Sequence, residues 1–263
     1  MRPDYNTAYE FNKKGIKMTL KNELVPGGFY HIYNCGINGE NIFQSHEDYS
    51  RFLRLYEKYI NPVCDTYTWV LMKNHFHLMV RIKENIRYKY SSKDGNNDPE
   101  KFNEIKWETE EISALIVKSS IYTGPGQSKT NSKIISPFAD HDESKVPRAF
   151  LHFSHFFNAY AKYFNIRYDR HGSLLERPFK RKKIDNSRYF QNVVVYIHQN
   201  PVHHRFCEHP MDYPWSSYLT CISLKTTSLK RDAVIGWFDN VGNFKTKHEQ
   251  ILNRRDIEDY LEL

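Results

Sequence analysis

Residues 69–82 read Trp-Val-Leu-Met-Lys-Asn-His-Phe-His-Leu-Met-Val-Arg-Ile, and this run constrains the fold more than any other part of the chain. Side chains along a strand alternate between faces, so His75, His77, Met79 and Arg81 share one face and Phe76, Leu78, Val80 and Ile82 the other. The second set is a clean core face. It holds two imidazoles side by side on the opposite face, where both can reach a single metal ion. Spacing alone leaves another reading open, in which the pair fills surface or core space and binds nothing.

The flanking sequence supplies the rest of a sheet. Residues 27–37 read as a strand opened and closed by glycine. Apolar residues from Tyr49 to Ile60 recur at helical spacing, so a helix is expected over 46–60. Residues 64–72 are β-branched and aromatic, and Lys73-Asn74 can turn this strand into the one carrying the histidines. An aromatic helix over 147–166 and a basic strand over 177–184 complete a βαββαβ order. The expected class is α+β, a ferredoxin-like antiparallel sheet with helices packed on one face.

A further helix is expected over 186–200, with Tyr189, Phe190, Val193, Val194 and Ile197 on one apolar arc at about 100° per residue. Tyr196 and Asn200 lie together on the edge of that arc. Between 83 and 147 the chain turns polar and charged, which reads as an insertion with a helix near 109–119. The domain reading is an N-terminal extension over 1–26, a domain over 27–218 carrying that insertion, and a C-terminal extension over 219–263 without chemical motifs.

Bulk properties narrow the classes. The longest apolar runs fall far short of the roughly 18 residues of a membrane span, and residues 1–20 lack the apolar core of a secretory signal, so the expectation is a cytoplasmic protein with no membrane partner. Cys35, Cys64, Cys207 and Cys221 are scattered and expected as thiols. A formal charge of +7 suits an anionic partner.

Histidine, aromatic, histidine on a strand, followed far downstream by Tyr-x-x-x-Asn on a helix, resembles the IS200-type single-tyrosine HUH transposases, most closely the REP-associated tyrosine transposases. The resemblance rests on Tyr30-His-Ile-Tyr-Asn34, Met72-Lys-Asn-His-Phe-His-Leu78, Gly172-Ser-Leu-Leu-Glu-Arg-Pro-Phe179, Tyr196-Ile-His-Gln-Asn-Pro-Val202 and Trp215-Ser-Ser-Tyr218, in that order. Lys73 stands where relatives often carry proline.

The resemblance implies that His75 and His77 bind a divalent metal, Mg²⁺ or Mn²⁺, with Asn200 as a polar third ligand. It implies that Tyr196 is the nucleophile in cleaving and rejoining single-stranded DNA through a phosphotyrosine. The implied substrate is DNA beside repeated palindromic hairpins, as in transposition or other DNA recombination. The implied assemblies are a monomer and a homodimer. Two rivals share the fold: a catalytically silent hairpin DNA- or RNA-binding protein, and a metal phosphodiesterase that uses water.

The basic run Arg177, Lys180, Arg181, Lys182, Lys183 has two readings, a DNA-backbone track through Arg177, Lys180, Arg181 and Lys183 or a solvated edge strand. His198, His203 and His204 read as a solvated cluster.

Overall fold

In β1 (Phe29–Cys35), Tyr30 and Ile32 face one side of the sheet and Phe29, His31 and Tyr33 the other, as period-two alternation requires. The computed structural model describes residues 23–89, 106–109, 145–250 and 254–261. β1 pairs antiparallel with both β3 (His75–Ile82) and β6 (Lys180–Ile184), and β2 (Cys64–Leu71) pairs antiparallel with the far edge of β3. The result is an α+β protein built on a four-stranded antiparallel sheet in the order β2-β3-β1-β6.

β4 (Ile86–Lys89) and β5 (Lys106–Thr109) form a separate antiparallel pair within the polar segment. Apart from Thr109, the helix expected near 109–119 lies outside the described residues.

Two helices cover the first face. α1 (His46–Tyr59) and α2 (Ala149–Arg167) pack together over Tyr30, Ile32, Phe76, Leu78, Val80 and Ile82. Aromatic rings dominate this core: Phe52 lies 5.1 Å from Phe76 and 4.7 Å from Phe156, centroid to centroid. The two helices are also fastened by a buried carboxylate. Asp48 accepts from the backbone N–H groups of Gln44 and Ser45 at the start of α1, and from the Tyr163 and Tyr168 hydroxyls.

The expectation of helices on one face describes α1 and α2 only. α3 (Phe190–His203) crosses the opposite face, against β2 and β3; the short α4 (Tyr218–Ile222) packs against α5 (Arg231–Trp237), and α5, α6 (Val241–Glu249) and α7 (Arg254–Leu261) pack on α3. The physical reason lies in the strands. Val70, opposite His77, and Met79, opposite His31, put apolar side chains on the histidine face, so it too needs cover, and Val234, Phe238, Phe244, Ile257 and Leu261 complete that second core. A bulge between Thr66 and Thr68 lets both Tyr67 and Thr68 face this layer.

α3 runs past the expected stop at Asn200. Pro201 removes one backbone donor, yet the helix continues to His203, and the Phe206 N–H bonds the Pro201 carbonyl at 2.8 Å. The Trp215-Ser-Ser-Tyr218 segment has a structural task. Leu71 N–H donates to the Trp215 carbonyl and Ser217 N–H to that of Trp69, so this segment covers the outer edge of β2.

Candidate functional site

β3 brings His75 and His77 to the face beneath α3, and α3 brings Tyr196 and Asn200 down onto them. Phe76, fully buried between the two histidines in sequence, anchors the strand in the opposite core and so fixes which way both imidazoles point. The His75 and His77 rings are 5.2 Å apart at 84°. Tyr196 stands edge-on to His77 at 5.7 Å and 84°, with only 3% of its surface exposed.

Asn200 makes a direct polar contact with His75. Its Oδ1 lies 2.9 Å from His75 Nε2, and Asn74 Oδ1 lies 2.7 Å from His75 Nδ1. Two ligand atoms at right angles on an octahedral Mg²⁺, each at about 2.1 Å, would stand about 3.0 Å apart. The observed separation therefore fits Nε2 and Oδ1 as neighbouring ligands of one small cation. The Asn74 carboxamide at the other ring nitrogen fits the outer partner that orients a ligating imidazole. Among the described residues no group of three or more His, Cys, Asp or Glu side chains is poised to hold a metal. A site of two imidazoles and an amide adds no negative charge, and suits an ion that keeps other positions for water or phosphate oxygens.

His31 belongs to this site, although its sequence marks it only as one residue of a strand. Its Nε2 lies 2.9 Å from His77 Nδ1, and the two rings are parallel within 5° at a centroid distance of 5.0 Å. A nitrogen contact shorter than ring thickness, with centroids that far apart, means the parallel rings meet edge to edge rather than face to face, as a hydrogen bond between ring nitrogens requires. His31 is fully buried, and loss of hydration pushes its pKa down to about 3, so its imidazole is neutral at physiological pH. The readable signal was the alternation of β1, which puts His31 on the same face as Tyr33. The missing information was the pairing of β1 with β3.

The basic strand divides between the two faces. Lys180 and Lys182 stand opposite Tyr33 and His31 on the site face, whereas Arg181 and Lys183 stand opposite Ile32 and Tyr30 on the α2 face. Arg181 lies over the rings of Phe150 and Phe179 at 5.0 and 5.3 Å, and burial lowers its pKa. Arg177 is exposed and donates to Asn158 Oδ1. The four basic residues read as one track thus occupy different surroundings.

The reading of His198 as solvated is corrected. It is fully buried, with Nδ1 2.9 Å from His248 Nε2 and Nε2 2.8 Å from both Thr68 Oγ1 and Ser217 Oγ. This network ties α3 to β2 and α6, and so holds the helix that carries Tyr196 and Asn200. His204 is exposed, its ring 5.1 Å from His75.

No protein-family model and no curated protein matches the chain. Among solved structures, one described as a REP-associated tyrosine transposase bound to a REP hairpin is similar. It aligns with a TM-score of 0.41 at 14% identity, over 77% of this chain and 83% of its own. A likeness this remote assigns no residue a role. No helix among the described residues is long and apolar enough to cross a membrane.

Proposed function

We propose that this chain is a single-tyrosine HUH nuclease of the REP-associated transposase type, on a ferredoxin-like core, that cuts and rejoins single-stranded DNA beside hairpins. His75, His77 and Asn200 hold a divalent ion, Mg²⁺ or Mn²⁺, and Tyr196 is the nucleophile. The observation that carries the reading is the 2.9 Å approach of His75 Nε2 and Asn200 Oδ1, two atoms contributed by a strand and a distant helix.

The bound ion would draw negative charge from a phosphodiester and hold it for in-line attack. The Tyr196 oxygen attacks phosphorus and loses its proton; the phosphorus–oxygen bond to the departing strand breaks, and that oxygen takes up a proton. The resulting phosphotyrosine keeps the bond energy for rejoining. Lys180 and Lys182 flank the site face and supply phosphate contacts.

A second reading, a silent hairpin-binding protein, draws support from the burial of Tyr196, which a packing tyrosine would also show. Incubation with a single-stranded hairpin oligonucleotide and Mn²⁺, followed by a denaturing gel, separates the two. The nuclease gives a covalent adduct that EDTA abolishes; the silent protein shifts DNA only on native gels, with or without metal.

A further inference from the structure

His31 is buried in full, and among the described residues its Nδ1 meets no hydrogen-bond partner. Unpaired buried polar atoms are rare and call for an explanation. Its cross-strand neighbours are Met79 on β3 and Lys182 on β6, so an aliphatic side chain would suit the layer without that cost. What an aliphatic side chain would lack is the edge-to-edge contact between His31 Nε2 and His77 Nδ1.

We infer that His31 is a positioning residue, whose Nε2 accepts a hydrogen bond from Nδ1–H of His77 and so holds His77 in the tautomer whose Nε2 lone pair can bind a metal. The inference rests on the proposed metal site at His75, His77 and Asn200. A neutral imidazole carries one N–H, so the direction of this hydrogen bond decides the chemistry. If His31 donates, the His77 proton sits on Nε2 and His77 is no ligand. If His31 accepts, His77 is ready, and the proton of His31 falls on its unpaired Nδ1. The pair then works as outer partner and ligand, with imidazole in the place a carboxylate or carbonyl more often fills. His75 has the same support from Asn74, 2.7 Å from its Nδ1. Each ligating ring is thus gripped by a neighbour at Nδ1.

The test uses full-length wild type, His31→Leu, His31→Gln and His75→Ala. Nitrogen NMR of the metal-free wild type should show His77 as the Nδ1–H form, whereas an imidazole without such a partner favours Nε2–H. Mn²⁺ titration followed by electron paramagnetic resonance should show His31→Leu weakened about 10- to 100-fold, the usual effect of losing an outer partner. His31→Gln, whose amide oxygen can accept the same bond, should recover part of that loss.

An Nε2–H tautomer at His77 in the wild type overturns the inference, as does unchanged Mn²⁺ affinity in a folded His31→Leu. The wild-type spectrum decides even where that variant fails to fold. The metal-site reading itself fails in a different way, through wild type that binds no Mn²⁺ or His75→Ala that binds it as well as wild type.

Discussion

His75 Nε2 and Asn200 Oδ1 lie 2.9 Å apart although 125 residues separate them in the chain. In the proposed metal site Asn200 is a ligand, and the charge at this position can be varied with little change of side-chain shape. Asn200→Asp should tighten Mn²⁺ binding by about 10-fold or more, because affinity for hard cations rises with the number of charged oxygen ligands. Asn200→Leu should weaken it by a similar factor. Calorimetric titration checks both, and equal affinities in the two variants would remove Asn200 from the ligand set.

Strand β3 separates chemistry from packing at adjacent positions. His75→Ala and His77→Ala should each abolish strong Mn²⁺ binding. Phe76→Ala empties a fully buried aromatic site and should cost roughly 3 to 5 kcal/mol of stability. Thermal and urea melts beside the titration test the division.

The basic strand yields a sided prediction. Lys180→Ala with Lys182→Ala should weaken hairpin and single-strand binding alike, lowering the slope of log affinity against log salt by about 0.7 to 0.9 for each phosphate that is no longer neutralised. Arg181→Ala removes a cation packed on Phe150 and Phe179 and should reduce stability while leaving the slope intact. Fluorescence anisotropy across a salt series distinguishes them; a slope that follows Arg181 would move the DNA path to the α2 face.

Period-two alternation makes β3 legible in the sequence, and with it the side of the sheet on which His75 and His77 lie. Helical spacing likewise reveals α1 and the pairing of Tyr196 with Asn200. Register is not legible. Which strand lies beside β3, and hence that His31 meets His77, depends on long-range pairing that local sequence does not encode. The same gap hides the sidedness of Lys180 and Lys182. The C-terminal helices escape because α5 and α6 are short and their apolar residues serve a core shared with α3 and the sheet. His198 resembles its neighbour His203 in sequence, and only the approach of Thr68, Ser217 and His248 distinguishes it.

Buried histidines set the response to acid. Desolvation lowers the pKa of His152 to about 4, of His248 to about 4, and of His198 well below its ordinary value. Each therefore stays neutral in the folded chain, while the unfolded chain takes up the proton below about pH 6.5. Folded stability is full above that pH and falls as pH drops towards 4, by up to about 1.4 kcal/mol per pH unit for each group. Melting temperatures should decline steadily over this window, and substituting His198 by Gln should make the decline shallower; an unchanged slope would show that the network takes up protons without cost.

The most direct test concerns Tyr196. Wild-type protein trapped on a hairpin oligonucleotide with Mn²⁺, digested with nuclease and protease, should yield by mass spectrometry a nucleotide-bearing peptide with the phosphate on Tyr196. Tyr196→Phe should bind the same DNA with the same affinity, melt at nearly the same temperature and yield no adduct. An adduct on another tyrosine, or one that persists in Tyr196→Phe, would contradict the account.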